Sequence, residues 1–168
     1  MSNDTAVVAD DATALQLALE EARLGMAAGN DPVGAVLVRD GRVIGRGHNH
    51  FLAQGDPTSH AEMEAYRDAA RRLAATLPAH AVEDALTGCD MFTTAMPCPM
   101  CAGAIVRWQA RRVVVSEDVT YTPAHTQTHM ADPGSAVETH RDAAVIALVE
   151  DWLVRHPERL PAYGRAGT

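Results

Sequence analysis

The sequence predicts an α/β protein in three layers, α/β/α, built on a central mixed sheet of about five strands. Three observations point there. Residues 35–38 and 43–47 are apolar runs on either side of Asp40-Gly41, a dipeptide that readily takes the positive φ angles of a tight hairpin, so they predict an antiparallel pair. Residues 89–94, 99–109 and 112–116 read as strand, helix and strand, which calls for a right-handed parallel crossover. Helical stripes near both ends of the chain supply the covering layers.

Taken in order, residues 1–10 read as a flexible arm and residues 11–168 as a single domain. Leu15, Ala18, Leu19, Ala22 and Met26 recur at helical spacing over residues 11–28, and Gly29 follows as a C-cap. After the hairpin, Asp56-Pro57-Thr58 is a loop. It leads into Ser59-His60-Ala61-Glu62, whose S-x-x-E pattern predicts a capping box opening a helix to about Leu73, with His60 in the first turn. Cys89 reads as a buried strand residue. Residues 95–97 form a loop, and Pro99, favoured at the first helical position, opens the crossover helix so that Cys98 and Cys101 fall on one face. Residues 122–134 are polar and turn-rich, and residues 136–140 predict a short edge strand. Val145, Leu148, Val149, Trp152 and Leu153 stripe a helix over residues 142–156, which Pro157 ends.

A chain of 168 residues with 47% hydrophobic content fits one domain with a substantial core. Its formal charge of −8 disfavours nucleic acid as a partner bound by bulk electrostatics and leaves a free small molecule as the default. The Arg71-Arg72 and Arg111-Arg112 pairs have no interleaved aromatics and read as solvated surface or interface. No apolar run approaches the roughly 20 residues of a membrane span, and the polar start lacks the layout of a signal peptide, so the expected compartment is the cytoplasm. Three cysteines are an odd count. With two of them in a C-x-x-C, metal or redox use outranks a disulfide framework.

Two segments carry the chemistry: His60-Ala61-Glu62 and Pro97-Cys98-Pro99-Met100-Cys101. His60, Cys98 and Cys101 offer one imidazole and two thiolates to a single zinc ion per chain, and three protein ligands leave the fourth tetrahedral position open for a water. Glu62, two residues beyond His60, is rotated by about 200° on a helix of period 3.6 and is spare as a ligand. The order of elements does not suit a thioredoxin-like redox pair. A closed structural site would draw its fourth ligand from His48, His50 or Cys89, but the spacings of such sites are absent. His125, His129 and His140 are too scattered for a second metal.

With these motifs the chain resembles the zinc-dependent cytidine and nucleobase deaminase superfamily, whose H-x-E and P-C-x-x-C match residues 60–62 and 97–101. Pro32-Val33-Gly34-Ala35-Val36, Gly45-Arg46-Gly47-His48-Asn49 and Cys101-Ala102-Gly103-Ala104-Ile105 match in the same order, so the resemblance spans about residues 15–161. It is most similar to the fungal-type cytosine deaminases, in residues 45–49, in Val115-Ser116-Glu117-Asp118-Val119 and in His156-Pro157-Glu158. The resemblance implies a cytidine deaminase-like fold, a homodimer, and hydrolytic deamination of a small aminated heterocycle, cytosine to uracil first. It makes Glu62 the catalytic proton shuttle. Asn49 and the backbone N–H of Ala61 would contact the ring, and Val33 and Tyr121 would wall it.

The chain also departs from that pattern. Where cytosine enzymes carry an acidic residue for the exocyclic amine, it has Leu160-Pro161-Ala162-Tyr163-Gly164, so Asp151, Glu158 or Tyr163 is expected to serve instead. Asp56-Pro57-Thr58-Ser59-His60 looks more like guanine deaminases and tRNA adenosine deaminases, and residues 77–86 form an insertion. Guanine deamination and tRNA editing are therefore the alternatives, and a zinc scaffold without turnover is the non-enzymatic one.

Overall fold

The computed structural model describes residues 6–121, 126–131 and 134–164. Its elements are α1 (Asp11–Ala27), β1 (Gly34–Arg39), β2 (Arg42–His48), α2 (Phe51–Gln54), α3 (Ala61–Ala74), α4 (Ala79–Leu86), β3 (Asp90–Ala95), α5 (Pro99–Arg107), β4 (Arg112–Glu117), α6 (Thr126–Ala131), β5 (Ala136–Thr139) and α7 (Ala143–Arg155), followed by a 3-10 helix, Pro157–Tyr163. The five strands form one mixed sheet in the order β2-β1-β3-β4-β5. β1 pairs antiparallel with β2 and with β3, whereas β3, β4 and β5 run parallel.

Alternation along the strands sorts the two faces. Val36, Val38, Phe92 and Val114 pack with Ala14 of α1. Ala35, Leu37, Met91, Val113 and Val115 point the other way, into a larger cluster with Ala61, Ala65 and Tyr66 of α3, Val82 and Leu86 of α4, and Ala102 and Ile105 of α5. Because successive strand side chains face opposite sides, each apolar run feeds both layers at once. α7 completes the α1 side through Val149, Trp152 and Leu153, which pack near Met26.

Several elements differ from the sequence reading. The arm is shorter than residues 1–10: Val8 N–H donates to Gly41 O, Val43 N–H donates to Ala6 O, and Asp10 is the N-cap of α1, accepting from Thr13 N–H at 2.8 Å. Ala6 and Val8 gain apolar cover against the α1-side cluster, which fastens the segment to the hairpin. Residues 77–86 contain α4, whose Val82 and Leu86 are buried, and the short α2 follows β2. α5 ends before residue 109 because Trp108 caps it and Gln109 turns to a φ of 48°. Within residues 122–134 the described part holds α6. α7 ends at Arg155, just before Pro157, and a separate 3-10 helix follows over Pro157–Tyr163.

α3 lies directly on β2 at Gly45 and Gly47. A Cβ on Gly47 would sit 2.4 Å from Ala61 O, and one on Gly45 would sit 2.2 Å from Ala65 O, so only glycine permits this approach. Overpacking of this kind costs on the order of 3 kcal/mol. Gly47→Ala is expected to lower stability by about that amount, measured as a fall in the urea midpoint at unchanged m-value, and to loosen the start of α3.

Candidate active site

Two helix N-termini meet where β1 begins and β2 and β3 end. His60 is the N-cap of α3 and Cys98 the N-cap of α5, with Cys101 one turn in. Orphan N–H groups and the helix dipoles make this end of the sheet electropositive, which favours thiolate over thiol. The expected capping box is absent. Ser59 lies outside the helix and its hydroxyl donates to Glu64 Oε1 at 2.7 Å, while Glu62 turns inward. Burial of Glu62 on the core side leaves it nothing to cap.

The three ligand atoms lie within 4.8 Å of one another. Cys98 Sγ is 3.5 Å from His60 Nδ1 and 3.7 Å from Cys101 Sγ. Zinc bonds of about 2.3 Å to sulfur and 2.0–2.1 Å to nitrogen, opened to the tetrahedral angle, separate two sulfurs by about 3.8 Å and a sulfur from a nitrogen by about 3.6 Å. The donor set therefore fits zinc in both kind and spacing. Hydrogen bonding from Cys101 holds the Cys98 thiol down to about 4, and the same contact, with burial, pushes Cys101 up. Metal affinity at such a site depends on pH, because thiol ligands must lose their protons to bind zinc. His60, Cys98 and Cys101 form the one such cluster among the described residues, and His48 instead pairs with Glu21 at 2.8 Å.

Glu62 is 3% exposed and lies beside this cluster, with Thr93 Oγ1 donating to its Oε1 at 3.5 Å. Burial raises its carboxyl above the ordinary carboxylate range. It lines a cavity of about 250 Å³ together with His60, Cys98, Val33, Asn49, Tyr121 and Tyr163. That volume is just under the roughly 300–1,000 Å³ of ligand pockets, which suits one small ring system. Tyr121 is set by the preceding loop, where the buried Glu117 carboxylate accepts from Val119 N–H at 2.7 Å and Thr120 N–H at 2.8 Å. The Tyr121 and Tyr163 rings meet edge-on at 5.8 Å.

Other expected roles change. The Ala61 N–H, expected to face a substrate carbonyl, donates to Asn49 Oδ1 at 2.9 Å, and Ala61 is fully buried. That bond fixes the Asn49 amide at the cavity wall. Asp151 and Glu158 do not take the place of a C-terminal acidic contact, because both are largely exposed and pair with Arg155 and His156. Besides Glu62, the carboxylate in the cavity is Asp31, joined by Arg159, Phe51, Pro57, Ala95, Met96 and Ala162. Sequence reading missed these residues. Asp31 stood beside the motif starting at Pro32, but nothing local connects it to Arg159.

A mixed sheet under two helix layers, with three zinc donors at paired helix N-termini and a buried carboxylate beside them, defines the zinc-hydrolase class of site. The chain belongs to the cytidine and deoxycytidylate deaminase family, whose zinc-binding region matches residues 8–117. A cytosine deaminase of Candida albicans is 31% identical over 150 residues, 89% of this chain and 93% of that protein. A tRNA-specific adenosine deaminase of Aquifex aeolicus is 38% identical over 61% of this chain, and a guanine deaminase of Bacillus subtilis is 38% identical over 67% of it. The chain spans 62% of the length of each of these two relatives. The solved guanine deaminase of Nitrosomonas europaea shares the fold, with a TM-score of 0.72 at 24% identity over 90% of this chain and 89% of that one.

Purified protein is expected to carry one zinc per chain by atomic emission, with Cys101→Ser and His60→Ala losing it. At free zinc a thousandfold above its Kd the metal adds about 4 kcal/mol of stability. A chelator should therefore lower Tm in the parent protein and leave both variants unmoved.

Proposed function

We propose that this chain is a hydrolytic deaminase of a free nucleobase or similar small aminated heterocycle, with cytosine to uracil as the first candidate. The observation that carries the reading is the clustering of the three zinc donors beside the buried Glu62, with His60, Cys98 and Glu62 lining one small, largely apolar cavity. Near-complete overlap with the Candida albicans cytosine deaminase supports cytosine.

Zinc, held by His60, Cys98 and Cys101, would supply a Lewis acid that brings the ionisation of water close to neutral pH. The remaining work falls to the chain. Glu62 takes a proton as water adds to the amine-bearing ring carbon, delivers it to the adjacent ring nitrogen, and carries a second proton to the amine. The C–N bond then breaks, a carbonyl remains on the ring, and ammonia leaves. Its raised pKa suits a group that both accepts and donates in one cycle. Asn49, anchored by the Ala61 N–H, would orient the ring, with Val33 and Tyr121 as walls that keep water away from it.

Guanine is the second candidate. The cavity presents Arg159 and Tyr163 rather than a free carboxylate at its C-terminal wall, which weakens the case for an amine-reading contact there. Editing of tRNA is disfavoured by the net charge of −8 and by the pairing of Arg71, Arg72, Arg111 and Arg112 with carboxylates, since RNA affinity rests largely on free cations meeting phosphates. The homodimer belongs to this proposal on resemblance alone, and the cytoplasmic setting read from the sequence stays part of the proposal. No helix among the described residues is long and apolar enough to cross a membrane.

Ammonia release should be measured over cytosine, guanine, adenine, their nucleosides, creatinine and amino-triazines. Wild type is expected to turn over at least one free base with no steep dependence on salt, and Glu62→Gln to reduce kcat by about 100-fold or more with zinc content unchanged. Silence of the whole panel sinks the reading. Activity only on tRNA, falling with salt, would replace it with the editing one. Zinc-loaded protein with no turnover on either would leave the scaffold.

A further inference from the structure

The C-terminal 3-10 helix brings a cation into the cavity. Arg159 Nε donates to Asp31 Oδ1 at 3.0 Å and Nη2 donates to Asp31 Oδ2 at 2.6 Å, a two-point pairing that holds the guanidinium plane. Trp152 Nε1 donates to the same Oδ1 at 3.3 Å, and the Arg159 guanidinium carbon sits 5.5 Å from the centre of the Phe51 ring. Both members of the pair are sheltered, with side-chain exposures of 17% for Arg159 and 7% for Asp31. Both line the cavity that holds His60 and Glu62.

This arrangement has a direction. The Asp31 oxygens are occupied by three donors, so they make a poor acceptor for a substrate amine. Nη1 of Arg159 has no partner among the described residues, and a guanidinium nitrogen only donates. The Tyr163 hydroxyl stands in the same wall, and burial keeps its proton on. The wall is therefore donor-rich. It carries little net charge, because Asp31 offsets Arg159, so it has no strong pull on a phosphate or a carboxylate. A neutral acceptor on an aromatic ring is what it matches.

We propose that Arg159, aimed by Asp31, is a specificity-determining residue that reads an exocyclic carbonyl oxygen on the heterocycle, so that the substrate class is amino-oxo bases rather than bases bearing amines alone. This rests on the deaminase reading above. Tyr121 and Tyr163 meet edge-on in the lining that also carries Glu62 and Arg159. A ring seated in the cavity with its reacting carbon toward Glu62 shares that lining with Arg159, which is then free to meet another edge of the ring.

Matched pairs test this. Guanine and 2-aminopurine differ by the 6-oxo group, and cytosine and 4-aminopyrimidine by the 2-oxo group. Wild type should favour the oxo member of the pair it accepts. Arg159→Met should lower kcat/KM for that member by about ten- to hundredfold, the worth of a hydrogen bond to a charged group, mainly through KM, and leave the oxo-free member nearly unchanged. Because removing the cation strands Asp31, the Asp31→Asn/Arg159→Gln double variant repeats the comparison with no buried charge, and Arg159→Lys should restore only part of the preference. Equal loss on both members, or no loss on either, overturns the proposal and leaves the pair as a structural clamp. Calorimetric binding of the same four bases to Glu62→Gln protein separates the two readings. Oxo-selective binding that vanishes with Arg159→Met, in a wild type that releases no ammonia, would defeat the deaminase reading while upholding this one.

Discussion

The seating of α3 on β2 at Gly45 and Gly47 is the constraint on which the rest of the structure depends. Backbone carbonyls of the helix come so close to the strand that no side chain fits between them, and the contact lies beside Ala61, one residue past the His60 ligand. Because the helix cannot slide on the strand, His60 has one position relative to the sheet. The same rigidity carries Asn49, at the end of β2, to the Ala61 N–H. The sheet in turn delivers Cys98 and Cys101, since β3 ends at Ala95 and α5 opens four residues later on Pro99. Three ligands from two helices are thus brought together by the way the helices are seated on the sheet.

Charge placement around this centre follows burial. Glu62 is a carboxyl with almost no contact with water, set beside the Cys98 and Cys101 sulfurs. Elsewhere the buried carboxylates are fully employed: Glu117 ties the loop before Tyr121, and Asp31 ties the C-terminal helix to the cavity through Arg159 and Trp152. The contrast separates Glu62, proposed above as the proton carrier, from carboxylates that position their neighbours. Most of the remaining charge is spent on surface pairs such as those of Asp68 with Arg71 and Arg72, which add little stability but leave few free cations on the face.

Much of the architecture was legible in short stretches. The Asp40-Gly41 turn, the Val113-Val114-Val115 strand and the stripe through Val149 and Trp152 each obey a local period, and each appears where the period placed it. Errors arose where a local rule had a tertiary competitor. Ser59 and Glu62 satisfy a capping pattern, yet the buried end of the sheet claims Glu62. Residues 77–86 read only as an insertion, yet Val82 and Leu86 join the core cluster that holds Ala65 and Ala69 of α3, and residues 79–86 form a helix. The first residues look like an arm, but Ala6 and Val8 bond to the hairpin edge.

Sequence alone determined the chemistry of this protein, because His60, Glu62, Cys98 and Cys101 lie in segments whose spacing and helix-opening residues dictate which groups share a turn. Tertiary structure decided what that chemistry is shown. Asp31 and Arg159 stand 128 residues apart and meet only after α7 folds back over α1 and the 3-10 helix turns into the cavity. Neither residue has a local pattern that names the other, since the contact depends on the summed placement of every element between them. The wall facing the reacting end is therefore a property of the packed molecule and not of any segment of its chain.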